Sequence, residues 1–197
     1  TIIDPVEIPN EDGLGKPEFE VLLYEFKADL NSYLAARGSS GHPGSLQELI
    51  EYNDTNQDTE MPYFGQELFH KAQEKGPLTS KEYTDALQTC RRLSKDEGLD
   101  AALSEHKLDA IVAPTGGPAW VTDLVNGDHF LGGSSTPCAV AGYPNVTVPA
   151  GYIFGLPVGI SFFSGAYTEP TLIKIAYAFE QATQVRKSPR FLSTADV

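Results

Sequence analysis

Residues 137–151 constrain the fold more tightly than any other part of this chain. Small side chains fill Pro137-Cys138-Ala139-Val140-Ala141, and Gly142-Tyr143-Pro144 then interrupts the run. Val146-Thr147-Val148 follows as a β-branched stretch, and Pro149-Ala150-Gly151 closes it. Proline gives no N–H to a strand ladder and glycine weakens a strand interior, so the β-branched run is bounded on both sides. It predicts a short strand. Residues 152–157 then predict a hairpin turn, and Val158-Gly159-Ile160-Ser161-Phe162-Phe163 predicts a further strand. Upstream, the apolar run over residues 108–115, ending in Pro114-Thr115, predicts a buried strand.

The first half is helical in pattern. Thr1-Ile2-Ile3 and the residues to Pro9 predict a strand, and a polar loop follows to Lys16. Pro17 opens a helix carrying Phe19, Leu22, Leu23, Phe26, Leu30, Tyr33 and Leu34 at three- and four-residue spacing, stopped by Gly38. Residues 37–44 predict a loop. Ser45-Leu46-Gln47-Glu48 predicts a capping box for a helix to about Tyr52, and residues 53–60 a polar loop. A short helix ends before Gly76-Pro77. Thr79 with Glu82 caps a longer one, with Tyr83, Leu87, Cys90 and Leu93 on one face and an interruption at Gly98. Thr168 caps the last helix, whose inner face is Leu172, Ile175, Ala176 and Phe179. The sum is α/β, with four strands whose edges need covering by a further portion of sheet.

At 197 residues the chain can enclose a core, and 41% hydrophobic against 21% charged residues fits a soluble globular protein. A formal charge of −13 argues against nucleic acid and anionic membranes as partners. No apolar run approaches the roughly 20 residues of a membrane-spanning helix. Cys90 and Cys138 stand far apart and are expected as free thiols. The chain starts at Thr1 rather than Met, which leads to the expectation that a preceding portion exists; the compartment stays open.

Several residues invite chemistry. Asp54, Asn56 and Asp58 resemble the start of a calcium loop, but Thr59 and Gly65 stand where glycine and a bidentate glutamate are needed. No His pair has metal-ligand spacing among His42, His70, His106 and His129, and the turn bearing His129 is expected at the surface. Asp109, inside the predicted strand, is expected to satisfy neighbouring backbone donors. Thr1 could act as an N-terminal nucleophile, although Ile2-Ile3-Asp4-Pro5 gives no catalytic turn. Gly132-Gly133-Ser134-Ser135 offers candidate nucleophiles, yet Pro137 removes an N–H that an oxyanion-binding turn would use. The nine lysines all stand on polar helix faces, at helix ends or in loops, so none is expected as a desolvated base. Thr115-Gly116-Gly117-Pro118-Ala119-Trp120 follows a strand, where loops commonly line sites. Trp120 either walls a substrate side chain or fills a domain interface.

Ala141-Gly142-Tyr143-Pro144-Asn145-Val146-Thr147-Val148-Pro149-Ala150-Gly151 resembles the late "AGYP-x-(V/I)-T-V-P-x-G" element of the amidase signature family. The order from residue 108 to 182 is similar throughout: a strand with Ala113-Pro114-Thr115, a loop, Gly132-Gly133-Ser134-Ser135, the element above, Leu156-Pro157-Val158-Gly159-Ile160-Ser161-Phe162, then a Leu/Ala-rich helix. Pro62-Tyr63-Phe64-Gly65-Gln66-Glu67 is similar to a stretch in the peptide-amidase-like branch. The resemblance implies a large α/β/α sandwich around a mixed sheet. It also implies amide hydrolysis through an acyl-enzyme by a Ser–Ser–Lys triad, without metal or cofactor.

The triad and oxyanion turn normally lie upstream of these motifs, so residues 1–197 are expected as the C-terminal portion of a single amidase domain. No catalytic residue is then expected here, and the chain alone is expected to be inactive. Thr115, Gly116, Trp120, Ser134, Ser135 and Thr136 are expected to line the substrate cleft. The expected partners are the N-terminal portion of the same amidase and a small amide or peptide-amide substrate. The competing expectation is a non-catalytic remnant that acts as a binding or interaction module.

Overall fold

The computed structural model describes residues 1–38 and 41–191. They fall into two compact units, Gly15–Cys90 and Thr1–Leu14 together with the chain from Arg91 onward.

The first unit is helical: α1 (Gly15–Ala36), α2 (Leu46–Thr55), α3 (Gln57–Glu60), α4 (Glu67–Gln73) and most of α5 (Lys81–Arg91). Leu23, Leu46, Ile50 and Ala72 form its core, with Leu30 and Phe69 against them. Pro17 lies in the first turn of α1, where its missing N–H has no helical partner. The expected inner face of α1 is only partly right. Leu23 and Leu34 are buried, but Phe19, Leu22, Phe26 and Tyr33 are exposed and Tyr24 is buried in their place. The Tyr24 ring packs 5.6 Å from Tyr83, and its hydroxyl donates to Glu82 at 3.0 Å.

Ser45 caps α2 as expected, its Oγ accepting the Glu48 N–H at 3.2 Å. The Glu48 carboxylate reaches back to the Gly44 N–H at 2.7 Å. The polar loop expected over residues 53–60 is instead the end of α2 followed by α3. Gln66 ties this segment down, accepting from Asn53 at 3.0 Å and donating to Asp54 at 2.7 Å. Lys27 holds the end of α4, donating to the carbonyls of Gln73 and Lys75. Helix α5 begins one residue later than expected, with the Ser80 carbonyl accepting the Thr84 N–H.

The second unit is a three-layer α/β arrangement. A wide π-helical segment (Arg92–Leu99) leads into α6 (Asp100–His106), then β1 (Ile111–Pro114), α7 (Thr136–Ala141), β2 (Asn145–Ile153), β3 (Leu156–Phe163) and α8 (Glu169–Thr183). The expected interruption at Gly98 is therefore a widening. A Cβ at Gly98 would stand 2.3 Å from the Leu93 carbonyl oxygen, so this geometry requires glycine.

The sheet order is β1-β3-β2, with both pairs antiparallel. Phe154 and Gly155, both at positive φ, form the two-residue turn between β2 and β3. Strand alternation sends side chains to two cores. Ile111 and Phe163 join Leu99, Ala102, Cys138 and Ala141 on one face. Phe162, Val146, Val148 and Ile160 meet Leu172 and Ala176 of α8 on the other. Thr168 precedes α8 without the expected side-chain cap; its hydroxyl donates to the Gly165 carbonyl instead.

Two further expectations fail. Residues 1–9 form no strand among the described residues. Pro5 and Pro9 withhold N–H groups and no described strand runs beside the segment; Val6 and Ile8 pack on the core instead. The described strands thus number three, not four. Asp109 lies before β1 and is exposed, so its carboxylate sits in solvent rather than inside a strand.

Candidate functional site

The end of the sheet carries a cluster of hydroxyls. Where β1 ends, the Thr115 N–H donates to the Gly159 carbonyl at 2.9 Å and so holds Thr115 beside β3. Its Oγ1 lies 2.5 Å from Thr147 Oγ1 on β2 and 2.8 Å from Ser161 Oγ on β3. Thr147 donates its proton to the Ile160 carbonyl at 3.2 Å. One hydroxyl has one proton, so the order of donation follows. Ser161 donates to Thr115, Thr115 to Thr147, and Thr147 to the backbone. The Ser161 oxygen at the head of this chain keeps only acceptor capacity. Gly159 makes room for the cluster: a Cβ there would stand 2.8 Å from Thr115 Oγ1 and 2.9 Å from Thr147 Oγ1.

The Gly132-Gly133-Ser134-Ser135 segment closes over this corner. Gly133 bridges to Gly116, and the Ser134 N–H donates to the Thr115 carbonyl at 3.3 Å. Ser134 Oγ is buried without a hydrogen-bond partner. Thr115, Ser134, Ser135, Asn145, Thr147 and Ser161 share a cavity of about 390 Å³, whose lining holds no charged side chain. Below it, Cys138 is buried, and burial pushes its thiol up to about 11. The Tyr143 hydroxyl donates to both Asp100 carboxylate oxygens, at 3.0 and 2.9 Å. Burial first, then Asp100, pushes the Tyr143 phenol up to about 12. Cys90 and Cys138 are both free thiols, as expected.

Of the six expected cleft residues, the structure brings Thr115, Ser134 and Ser135 around one cavity. Gly116 lines a neighbouring trough of about 910 Å³, which Ser134 also borders. Thr136 begins α7 and lines neither. Trp120 lies outside both; its Nε1 donates to Asp128 at 2.9 Å and its ring stands 6.0 Å from Phe130. Sequence reasoning missed Thr147, Asn145 and Ser161. Ser161 had one usable signal, as the single hydroxyl in an otherwise apolar strand. Among the described residues no lysine donates to a Ser or Thr hydroxyl. Lys27 meets backbone carbonyls, Lys75 meets Glu20 and Lys81 meets Asp85.

No family model matches the chain. It is 39% identical over 198 residues to a probable amidase of Arabidopsis thaliana, a match covering 98% of this chain and 35% of that protein. The native peptide amidase of Stenotrophomonas maltophilia superposes with a TM-score of 0.86 at 45% identity, covering 96% of this chain and 38% of that one. An amidase family protein of Bacillus anthracis superposes with a TM-score of 0.73 at 31% identity, covering 96% of this chain and 33% of its own. The chain spans about a third of the length of these relatives. With an α/β architecture shared over nearly its whole length, the chain belongs to the amidase signature family, and the stretch it corresponds to is the C-terminal portion.

Proposed function

We propose that the chain is the C-terminal part of an amidase that converts carboxamides to carboxylates and ammonia or an amine, and that it forms one wall of the substrate cleft. The supporting observation is likeness to a peptide amidase across 96% of this chain but only 38% of that enzyme. In this reading the Ser–Ser–Lys triad lies on the N-terminal portion of the same amidase, the partner of this chain. A neutral lysine there takes the nucleophile's proton through the middle serine, and the serine attacks the amide carbonyl. The tetrahedral intermediate expels the amine with that proton, and water then releases the carboxylate from the acyl-enzyme. The present chain contributes binding rather than attack. The uncharged corner at Thr115, Ser134 and Ser161 suits a neutral amide better than a carboxylate. Peptide amides are the substrate class favoured by the peptide amidase likeness. Among the described residues no helix is long and apolar enough to cross a membrane.

The test is ammonia release from a peptide amide by the 197-residue chain, by the N-terminal portion, and by the two mixed. Activity only in the mixture is expected. Turnover by the 197-residue chain alone would overturn the assignment of the triad. The hydroxyl corner, with no lysine donating to it, also supports a non-catalytic binding module. Stoichiometric amide binding by the mixture without turnover would favour that second reading.

A further inference from the structure

Tyr143 is gripped at two points by residues five apart in the sequence. Its hydroxyl donates to both carboxylate oxygens of Asp100, and the Lys95 ammonium stands 5.2 Å from the centre of its ring. In an α-helix, residues five apart are turned about 140° from one another around the axis, so they face different neighbours. The π-helical segment removes that offset. Its hydrogen bonds span five residues, and the Asp100 N–H donates to the Lys95 carbonyl, which brings the two residues onto a single face.

The widening is unfavourable in itself. It requires Gly98, where a Cβ would meet the Leu93 carbonyl oxygen at 2.3 Å, and glycine weakens a helix interior. Ser94 Oγ, on the same segment, is buried without a hydrogen-bond partner among the described residues. Local geometry of this kind is usually retained for a task, and the contact it makes possible is the grip on Tyr143.

Tyr143 stands at a junction. Helix α7 is six residues long, too short to hold its place without anchors. Ser134 and Ser135 lead into it. Gly142, at positive φ, ends it, and the Tyr143 N–H donates to the Cys138 carbonyl at 3.0 Å. Asn145 then begins β2, where Thr147 pairs with Ser161. A fixed Tyr143 therefore fixes α7 with its leading serines on one side and the first residues of β2 on the other. We propose that Tyr143 is a positioning residue for the hydroxyl corner, clamped by Asp100 and Lys95 so that Ser134 and Thr147 keep the spacing that receives the amide substrate. The inference rests on the amidase reading above, and the clamp serves binding rather than attack.

Peptide-amide hydrolysis by the N-terminal portion mixed with this chain or its variants tests the clamp. Tyr143→Phe keeps the ring and loses only the hydroxyl. It is expected to raise KM about fivefold with kcat within about twofold. A variant that is merely less stable gives the opposite split, since unfolded molecules lower the active concentration and leave KM alone. Asp100→Ala should raise KM as much, and Asp100→Asn, which still offers the hydroxyl an oxygen, should recover most of the loss. Combining Tyr143→Phe with Asp100→Ala should be no worse than either change alone, because both remove one interaction. In the same mixtures, amide hydrogen exchange at Ser134 should quicken about fivefold in Tyr143→Phe while Thr115 stays within about twofold; global unfolding would quicken both.

The two readings fail separately. Turnover with unchanged KM in both Tyr143→Phe and Asp100→Ala would overturn the positioning role, whatever the exchange shows, and leave the amidase standing. No turnover by the unmutated mixture would sink the amidase reading, and Ser134 exchange would then decide the clamp: quickened in Tyr143→Phe, the clamp holds the corner; unchanged, it does not. The Asp100 variants reach the same hydrogen bond from its other end, so they carry the test if Tyr143→Phe does not fold.

Discussion

The chain leaves β1 into two regions that are neighbours in sequence and opposites in construction. At Thr115 the three hydroxyls are brought together by the register of β1, β3 and β2, the backbone is bonded to Gly159 and Ser134, and Ser161 is buried. The loop over residues 117–131 is held mainly by its own contacts. Asp123 Oδ1 accepts the N–H groups of Val125 and Asn126, and Trp120 donates to Asp128. Meanwhile Val121, Leu124, Val125 and Phe130 stand exposed. Order in the corner comes from sheet register; order in the loop comes from turns a few residues long. Substitutions should therefore be felt strongly in the corner and weakly in the loop.

The largest effect is expected at Gly159. Valine would drive a branched Cβ against Thr115 Oγ1 and Thr147 Oγ1, both fixed by neighbouring strands. A loss of about 3 kcal/mol in urea unfolding is expected, the upper range for overpacking. A loss under about 0.5 kcal/mol would mean the corner yields as a loop does. Thr147→Val comes next. It keeps shape but takes from the Thr115 proton its protein acceptor at an exposed position where water can replace it, for about 0.5–1 kcal/mol. Thr147→Ser should recover most of that, and equal losses in both variants would show that the methyl group, not the hydroxyl, matters.

A pH dependence sharpens the same contrast. Tyr143 has a folded pKa pushed up to about 12 from an ordinary 10, so the folded state holds the proton more tightly. Its contribution is fully present below about 10 and disappears as pH rises from there to about 12. Tyr143→Phe should flatten that part of the stability profile. An unchanged alkaline profile in the phenylalanine variant would remove Tyr143 as its source.

The same contrast explains what the sequence disclosed. Helix α1, the Ser45 cap, the β2–β3 hairpin and the inner face of α8 follow local rules, where proline, glycine and apolar spacing act within a few residues. The family was legible for a related reason, since its motif lies in one continuous run from Ala141 to Gly151. What went unread depends on distant partners. Residues 1–9 look like a strand, but strand formation needs a neighbour that local pattern cannot supply. Residues 53–60 looked like a loop because nothing in that run announces that Gln66 will bond Asn53 and Asp54. Thr147 and Ser161 escaped notice because only the antiparallel register carries them to Thr115.

The smallest effect is expected in the loop, and there the contrast is most exposed to failure. Trp120 is the only tryptophan, so its fluorescence reports this region without interference. It is 41% exposed, and its visible ties are Asp128 and the Phe130 ring, both within the same loop. Such a residue can lose its contacts without the sheet losing any of its own. Phe130→Ala should shift Trp120 emission to the red while changing global unfolding by less than about 0.5 kcal/mol. Addition of the N-terminal portion should then move Trp120 emission back to the blue if this loop walls the cleft, because the apolar side chains from Val121 to Phe130 would leave water. Emission unmoved by that addition would take Trp120 out of the cleft and leave the hydroxyl corner as the substrate-facing part of this chain. A stability loss above about 2 kcal/mol would erase the distinction between corner and loop.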